Sequence, residues 1–381
     1  MRLTELPAPD ADALAASRAL ASRIRAELRS RGNWMSFARY MELALHEPGL
    51  GYYAAGSAKL GAGGDFVTAP ELGPLFAQTL AAQVAPLLEA TQGAILEFGA
   101  GSGALADALL AEFERTGAGR PQYQILETSA ELRHRQRERI GERASWLERL
   151  PLRFSGVMLA NEVADALPVH AVAWTDRGIK ERGVCENEGE LAWAERAASG
   201  SVLDAADAID IELPPSGRYQ SEIGLAAQAW IAALAAGLER GALLVIDYGF
   251  AHREYYHPQR SMGTVMCHYR HHAHSDVFVH PGLQDITAHV NFSALADSAA
   301  QAGLDVLGYA SQAQFLVNCG ITEVLARCDA NDVPRYAPRA AEANTLLAPS
   351  EMGELFKVLA LGRGVDAALR GFSSGDRVHT L

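Results

Sequence analysis

The chain has 381 residues, and its hydrophobic content of 49% and charged content of 21% are typical of a globular protein with a large core. Its formal net charge of −13 argues against a general nucleic-acid binder, because phosphate groups require Lys and Arg. Its four cysteines include no C-x-x-C pair, which favours reduced thiols in a cytoplasmic protein over disulfides or a zinc site. No apolar run is long enough to predict membrane insertion.

The first part of the chain, residues 1–90, predicts helices and a long loop. Apolar residues at helical spacing predict a helix over 13–30, and a second helix is expected from Ser36, its N-cap, to Leu45. Residues 46–72 are rich in glycine, with aromatic and acidic side chains among them. Such a loop is typical of a lid or a binding loop, and composition alone supports an ordinary surface loop equally well.

A glycine motif follows over residues 95–103, Ile-Leu-Glu-Phe-Gly-Ala-Gly-Ser-Gly, and predicts a strand, a tight turn and a helix. Residues 99–104 fit the dinucleotide pattern G-x-G-x-x-G/A, whereas residues 97–103 fit E-x-G-x-G-x-G, the first motif of S-adenosylmethionine (SAM)-dependent methyltransferases. We favour SAM, because the acid suits its cationic end and would repel a pyrophosphate. A glycine-rich turn without a ligand is the alternative. The predicted cofactor-binding residues are Glu97, Gly99, Ala100, Gly101 and Gly103.

Several segments together carry a family resemblance: Phe37-x-x-Tyr40-Met41, Gly51-Tyr52-Tyr53, Gly64-Asp65-Phe66-x-Thr68-x-Pro70-Glu71 and the glycine motif. With them the chain resembles the MidA family of SAM-dependent methyltransferases, over about Phe37 to Leu361. Mitochondrial members of that family are complex I assembly factors that methylate arginine on a subunit of the complex. The resemblance implies SAM as the cofactor and S-adenosylhomocysteine as its product. It also places Asp65, Phe66 and Thr68 at the cofactor and Glu71 at the substrate.

The second strand of the predicted sheet, over residues 122–127, also ends in an acid. Glu127 lies 24 residues beyond Gly103, where a carboxylate can accept hydrogen bonds from both ribose hydroxyls. A helix-capping role for Glu127 is the alternative, and Thr128 is assigned to the cofactor site with it. The third strand is expected over 144–148, with the adenine contact left open between Trp146 and Glu148.

The fourth strand, residues 157–160, leads into Asn161, Glu162 and Asp165. Because the carboxyl ends of parallel strands face the ligand crevice, we predict these three as catalytic residues. A polar turn capped by Asp165 is the alternative. The segment resembles the family signature, an acid followed by Asp-Ala-Leu-Pro-Val-His, although members often carry His at the position of Asn161. For an arginine substrate, Glu162 and Asp165 would pair with the guanidinium and receive its proton.

The fifth strand, residues 242–249, supplies Asp247 and Tyr248 as candidate substrate contacts. A following segment holds eight of the twelve histidines, but their spacing fits no standard zinc pattern, so we predict no metal. The family resemblance continues through residues 281–292 and puts Asp285 and His289 beside the substrate groove.

The whole pattern predicts an α/β fold whose strand count suits the seven-stranded, Rossmann-like sheet of class I SAM methyltransferases, and the resemblance implies that the last strand is antiparallel. A short meander over 169–198 interrupts the βα alternation and indicates an inserted substrate subdomain. The predicted regions are N-terminal helices and lid loop 1–90, core 91–168, insertion 169–240, core with His-rich loop 241–362, and a loose polar tail 363–381.

The predicted function is methyl transfer from SAM to an arginine of a protein, whose basic surface would suit the acidic chain. Three alternatives remain at this point: a small molecule or another side chain as acceptor, a non-catalytic assembly factor that binds SAM, and a nicotinamide-dependent oxidoreductase. The expected partner is a protein with an exposed arginine, with no nucleic acid and no membrane insertion. The oligomeric state stays open, with a homodimer as one option.

Overall fold

A computed structural model describes residues 6–54 and 68–381. The chain divides into two compact units, each assembled from separate stretches of sequence. The first unit contains residues 6–54, 165–228 and 252–291, and the second contains residues 68–164, 229–251 and 292–381.

The α-helices of the described residues are numbered in chain order. They are α1 (Ala11–Ser30), α2 (Phe37–His46), α3 (Ala69–Leu72), α4 (Leu75–Thr91), α5 (Ala104–Thr116), α6 (Ala130–Ile140), α7 (Gly200–Asp207), α8 (Leu225–Gly237), α9 (His252–Tyr255), α10 (Phe292–Gln301), α11 (Gln312–Asn318), α12 (Ile321–Leu325), α13 (Val333–Leu347) and α14 (Met352–Leu355).

The strands of the same residues form three sheets. They are β1 (Met35–Ser36), β2 (Ala94–Phe98), β3 (Tyr123–Leu126), β4 (Ser145–Leu147), β5 (Phe154–Asn161), β6 (His170–Thr175), β7 (Gly178–Asn187), β8 (Glu190–Ala197), β9 (Arg218–Ile223), β10 (Leu238–Phe250), β11 (Met266–Tyr269), β12 (His272–His274), β13 (Asp285–Thr287), β14 (Val290–Asn291), β15 (Asp305–Ser311) and β16 (Phe356–Arg363).

In the second unit, seven strands of the largest sheet lie in the order β4-β3-β2-β5-β10-β16-β15. The pairs from β4 to β10 are parallel, whereas β16 runs antiparallel to both β10 and β15. Strands β2 and β10 are apolar along most of their length, as expected for strands covered on both faces. The predicted seven-stranded sheet with an antiparallel last strand is confirmed.

The order of the strands explains where a ligand can bind in the second unit. The chain leaves β2 toward β3 on one side and reaches β5 on the other, so β2 and β5 are neighbours at the point where the strand order reverses. Open α/β sheets bind ligands at the carboxyl ends of the strands at such a point. The glycine motif follows β2 directly.

The first unit combines α1 and α2 with two antiparallel sheets. One sheet has the order β1-β7-β6-β9 with β8 paired to β7, and the other has the order β12-β11-β13. Helix α2 begins at the predicted cap, where Ser36 Oγ accepts from the backbone N–H of Arg39. The apolar face predicted for α1 is buried, with Leu20, Ile24 and Leu28 in one core with α2 and β13.

Strand β9 and helix α7 lie within the predicted insertion, beyond the meander over 169–198, and the sequence analysis predicts neither of them. Tyr219, Ser221 and Ile223 alternate as buried positions along β9, and the strand pairs with β6 over its whole length. Polar residues between these positions hid the period of two, and the pairing partner is more than forty residues earlier.

The end of the chain also differs from the predicted loose tail. Phe372 packs against Phe315 with their ring centroids 5.4 Å apart, and it is buried. The backbone N–H of Gly371 donates to Gln83 Oε1 at 2.8 Å. One aromatic residue within a polar stretch therefore holds the tail on the second unit, an effect that average composition does not reveal.

Candidate active site

The glycine loop joins β2 to α5 in the second unit. Gly99, Gly101 and Gly103 have φ values of 58°, 55° and 81°, a left-handed conformation that costs other residues about 1–2 kcal/mol. Gly103 is the N-cap of α5, so the loop ends at free backbone N–H groups of a helix start. Ala100 is buried within the same turn. The loop lets a ligand approach the main chain closely, which is the role that the sequence predicts for it.

Glu97 lies at the end of β2 and is almost completely buried. The hydroxyl of Tyr123 donates to its Oε2 at 2.7 Å. Burial is the main cause that raises the pKa of Glu97 to about 7, and the negative charge of Glu127 adds to it. Near neutral pH this carboxyl therefore lies between its two charge states, and a positively charged ligand would stabilise the ionised form.

Glu127 follows β3 directly and is also buried. Its Oε1 accepts from the backbone N–H of Ser129 at 3.0 Å, and its Oε2 accepts from Gln136 Nε2 at 3.1 Å. Burial raises the pKa of Glu127, while these donors oppose the shift. Thr128, the predicted neighbour in the site, is exposed. The carboxylate of Glu127 is thus held in one orientation at a strand end, as ribose binding requires.

Gln136, on α6, belongs to this site, although the sequence analysis assigns it no role there. It is fully buried and donates to the carbonyl of Gly101 at 2.9 Å as well as to Glu127. Its Oε1 accepts from Trp146 Nε1 at 2.8 Å, which connects β4 to the same group of residues. A glutamine among the charged residues of α6 gives no periodic signal of burial, so only the tertiary structure identifies it.

The carboxyl end of β5 lies beside the glycine loop, since Ala160 of β5 pairs with Phe98 of β2. Asn161 Nδ2 donates to Glu162 Oε1 at 3.1 Å. The buried Asn161 Oδ1 has no hydrogen-bond partner within residues 6–54 and 68–381. Because a buried acceptor without a donor costs about 1–3 kcal/mol, this oxygen is suited to a donor group of a ligand.

Glu162 has a backbone φ of 52°, which is uncommon for a residue with a side chain. Its backbone N–H donates to the carbonyl of Ile246 at 2.9 Å, which fixes the strained conformation against β10. Residues held in such conformations cluster at functional sites. The geometry is compatible with the predicted catalytic role of Glu162, which stays a prediction.

Asp247 and Tyr248 lie near the carboxyl end of β10, beside the carboxyl end of β5. Asp247 Oδ2 accepts from the backbone N–H of Ala164 at 3.0 Å, and its Oδ1 accepts from the N–H of Tyr248 at 2.9 Å. Tyr248 packs edge-on against Phe356, with the ring centroids 5.5 Å apart. Asp247 therefore holds the loop after β5, and substrate binding by these two residues stays a prediction.

The predicted lid residues divide into two groups. Asp65 and Phe66 lie outside the described residues. Thr68 is the N-cap of α3 and makes no side-chain capping bond. Glu71, in α3, accepts a hydrogen bond from Ser102 Oγ of the glycine loop. The structure thus puts Glu71 at the loop predicted to bind the cofactor, although the sequence assigned it to the substrate.

The remaining predicted residues belong to the first unit. Tyr53 O–H donates to Asp285 Oδ1 at 2.9 Å, and the charge of Asp165 adds to that of Asp285 in raising the pKa of Tyr53, after the dominant effect of burial. The carbonyl of Asp165 accepts from the N–H of Ala288 at 3.0 Å. The N–H of His289 donates to a threonine hydroxyl at 3.1 Å. Asp165 and Asp285 are thus brought together around Tyr53, which the site prediction omitted.

No group of three or more His, Cys, Asp or Glu side chains within residues 6–54 and 68–381 is arranged to hold a metal ion. No helix in these ranges is both long enough and apolar enough to cross a membrane.

The residues of the second unit fit SAM better than a dinucleotide. Glu97 and Glu127 are two buried acids, and the charge of Glu127 adds to the cost of ionising Glu97. Arg133 favours ionised Glu127 by its charge, but neither acid has an Arg or Lys hydrogen-bond partner among the described residues. A pyrophosphate would be repelled by these acids, whereas an ammonium or sulfonium group would be attracted. When bound, SAM would thus be held by the glycine loop, Glu97, Glu127 and the amide of Asn161.

Comparison with known proteins agrees with this geometry. Residues 77–310 match the model of a family of S-adenosyl-L-methionine-dependent methyltransferases. Protein arginine methyltransferase NDUFAF7, mitochondrial, of Danio rerio is 30% identical over 363 residues, which cover 85% of this chain and 82% of the relative. The Drosophila melanogaster homologue is 29% identical and covers 96% of this chain and 89% of its own.

Solved structures give a closer match. A protein from Burkholderia thailandensis, crystallised with S-adenosyl-homocysteine, is 50% identical and superposes with a TM-score of 0.95 over 99% of this chain and 100% of its own. A native crystal structure from the same organism gives 49% identity and a TM-score of 0.92. The prediction of SAM as cofactor is confirmed, and the nicotinamide alternative is wrong. On these grounds the chain belongs to the MidA family of SAM-dependent methyltransferases.

Proposed function

We propose that the chain transfers the methyl group of SAM to an arginine side chain of a protein. The observation that carries this proposal is the identity of the curated relatives: the Danio rerio and Drosophila melanogaster proteins are named protein arginine methyltransferases and align with at least 85% of the chain. The chemistry of the predicted catalytic residues supports it.

An arginine nucleophile presents a specific difficulty. Its guanidinium has a pKa above about 12, and its lone pairs are delocalised over three nitrogens. When bound, SAM supplies an electrophilic methyl group on a positively charged sulfur. The protein must therefore orient one guanidinium nitrogen and accept the proton that it releases. Carboxylates that pair with the other nitrogens fix the plane of the group and draw its charge away from the attacking nitrogen, and a carboxylate within hydrogen-bond reach of the attacking nitrogen takes its proton.

The chain offers Glu162 and Asp165 for this task. Glu162 is the better supported of the two, because it follows the fourth strand of the parallel order and is held with φ at 52°. Asn161 donates to one of its carboxylate oxygens, which restricts the side chain. We propose Glu162 as the proton acceptor and Asp165 as a second guanidinium contact.

The charge and the cysteines of the chain support two further parts of the proposal. A net charge of −13 favours encounter with a basic protein segment over a nucleic acid. Four free cysteines favour a reducing compartment, so we propose a cytoplasmic location.

The test uses purified protein, methyl-labelled SAM and two peptide libraries that differ only in arginine or lysine at one central position, beside a folded protein extract. We expect label in the arginine library and the extract, recovered as methylarginine after acid hydrolysis. Glu162→Gln should lower the rate at least about a hundredfold while binding S-adenosylhomocysteine as the wild type does. Glu114→Gln, at an exposed acid of α5, is the matched control and should change neither.

Three outcomes would contradict the proposal. Label on lysine or on small molecules would assign a different acceptor. Full activity of Glu162→Gln would remove this residue from the reaction. Binding of S-adenosylhomocysteine without any methylation would favour a non-catalytic assembly factor.

A further inference from the structure

Gln136 is the most connected polar side chain at the glycine loop, and nothing in the reaction requires a glutamine on α6. It is fully buried and makes three hydrogen bonds of 2.8 to 3.1 Å. Each bond reaches a different element: the carbonyl of Gly101 in the loop after β2, the carboxylate of Glu127 after β3, and the indole N–H of Trp146 in β4. Both amide hydrogens and the amide oxygen are therefore used.

The bond to Glu127 determines how this carboxylate is presented. A carboxylate at a strand end rotates freely unless both of its oxygens have donors. Ser129 N–H holds one oxygen and Gln136 holds the other, with the backbone of Thr128 as a further donor, so the carboxylate is fixed and its remaining lone pairs point in set directions. Two vicinal ribose hydroxyls need that arrangement, because they donate side by side.

The bond to Gly101 fixes the opposite side of the same site. Gly101 has a φ of 55°, and its carbonyl accepts a hydrogen bond from Gln136 Nε2. This bond fixes the direction of the carbonyl within the glycine loop. The indole of Trp146 in turn fixes the amide plane, since its N–H donates to Gln136 Oε1. The glutamine thus sets the distance between the glycine loop and the ribose carboxylate.

We propose that Gln136 is the positioning residue for the ribose of SAM, acting through Glu127 and Gly101. The proposal rests on the SAM site and on ribose binding by Glu127, and it is independent of the identity of the methyl acceptor.

The first test measures whether the loss is specific to ribose. Calorimetry would compare S-adenosylhomocysteine with its 2′-deoxyribose analogue on wild type and on Gln136→Met, which keeps the volume and removes all three bonds. We expect the variant to lose about tenfold or more in affinity for S-adenosylhomocysteine, and less than about threefold for the analogue. The wild type should distinguish the two ligands, and the variant should not.

Gln83→Met is the matched control. Gln83 is also fully buried in the second unit, and it accepts from Gly371 at the chain end instead of from the loop. We expect Gln136→Met and Gln83→Met to lose comparable thermal stability. Only Gln83→Met should still distinguish S-adenosylhomocysteine from its 2′-deoxyribose analogue as the wild type does. Thermal melts of both variants show whether each is folded.

The second test uses protonation to restore the donor. In Gln136→Glu, an ionised side chain would repel Glu127, whereas the protonated acid can donate to Glu127 Oε2 as glutamine does. Affinity of this variant should therefore rise at least about fivefold as pH falls from 8 to 6, relative to wild type and to Gln136→Met. Arg133 acts on this carboxylate by its charge, and Glu127 in turn acts on Glu97. Both residues are present in all three proteins, so their contribution is common to the proteins that are compared.

Equal loss for both ligands in Gln136→Met would reduce Gln136 to a purely structural role and overturn the proposal. Unchanged affinity of Gln136→Met for S-adenosylhomocysteine would also overturn it. So would an affinity of Gln136→Glu that depends on pH in the same way as that of the wild type. Wild-type protein that binds S-adenosylhomocysteine but does not distinguish the 2′-deoxy analogue would show that Glu127 does not bind ribose.

Discussion

The buried acids predicted for the cofactor site and those clustered around Tyr53 have hydrogen-bond partners at very different distances along the chain. In the second unit, Glu127 is held by Ser129 and Gln136, two and nine residues away, and Glu97 is held by a tyrosine 26 residues away. In the first unit, the donor to Asp285 is Tyr53, which is 232 residues away in sequence. The acids predicted to bind the cofactor are therefore held by residues close to them in sequence. The acidic cluster of the first unit, Asp165 and Asp285 around Tyr53, forms only when distant segments of the chain pack together.

Gly101→Val should give the largest effect, and it tests whether cofactor binding depends on the local conformation of the glycine loop. A β-branched residue at φ 55° strains the loop and fills the approach to the main chain, so binding of S-adenosylhomocysteine should fall at least about a hundredfold by calorimetry. Gly117→Val is the control, because Gly117 has φ of 72° with no atom within 4 Å of an added Cβ. Equal loss of binding in both variants would mean that global strain, not the loop, is responsible.

Glu97→Gln should alter the pH dependence of stability. The folded pKa of about 7 lies above the unfolded value of 4.5, so the folded state binds more protons between these values. The free energy of unfolding should therefore fall as pH rises from 4.5 to 7, by up to about 3 kcal/mol from this group. The variant resembles the protonated acid and should lose this slope, measured by urea unfolding at several pH values.

The same change should act oppositely on the ligand. Ionised Glu97 attracts the cationic end of SAM, so wild-type affinity should rise with pH through about 7, and the affinity of Glu97→Gln should stay flat. A wild-type affinity that is independent of pH would show that Glu97 does not face the cationic end.

Tyr53→Phe tests the long-range cluster of the first unit. It removes one donor to the buried carboxylate of Asp285 and should cost about 2 kcal/mol in the free energy of unfolding. Tyr40→Phe is matched to it, because Tyr40 O–H donates to the neutral carbonyl of Val277 over a similar sequence distance. We expect the Tyr40 change to cost about half as much, and a larger cost there would contradict a charge-dependent bond at Tyr53.

Ser36→Ala should give the smallest effect. It removes the cap of α2 in the first unit, where Ser36 Oγ accepts from Arg39 N–H, and should cost about 1 kcal/mol by urea unfolding. Affinity for S-adenosylhomocysteine, titrated in the same preparation, should stay within twofold of wild type. A marked loss of affinity would show that the cofactor site depends on the first unit.

Sequence reasoning worked best where physical rules act over a few residues. Strand ends in parallel order identify Glu127 and Asn161, and the glycine spacing predicts the loop. It failed at Gln136 and Tyr53, whose hydrogen-bond partners no periodic pattern specifies. Sequence reasoning also assigned no structural role to Asp247, although both of its carboxylate oxygens accept hydrogen bonds from main-chain N–H groups. Polar groups that act on the backbone of distant segments leave no local signature.

The position of β16 has a consequence for synthesis on the ribosome. This strand, Phe356–Arg363, lies between β10 and β15, both of which precede it in the chain. Until its last residues leave the exit tunnel, β10 and β15 each present an unpaired edge, which is a template for association with other chains. The nascent protein therefore completes its sheet only after residue 363 has left the tunnel, and a premature stop before residue 356 would leave β10 and β15 without their shared neighbour and open to chaperones or to aggregation.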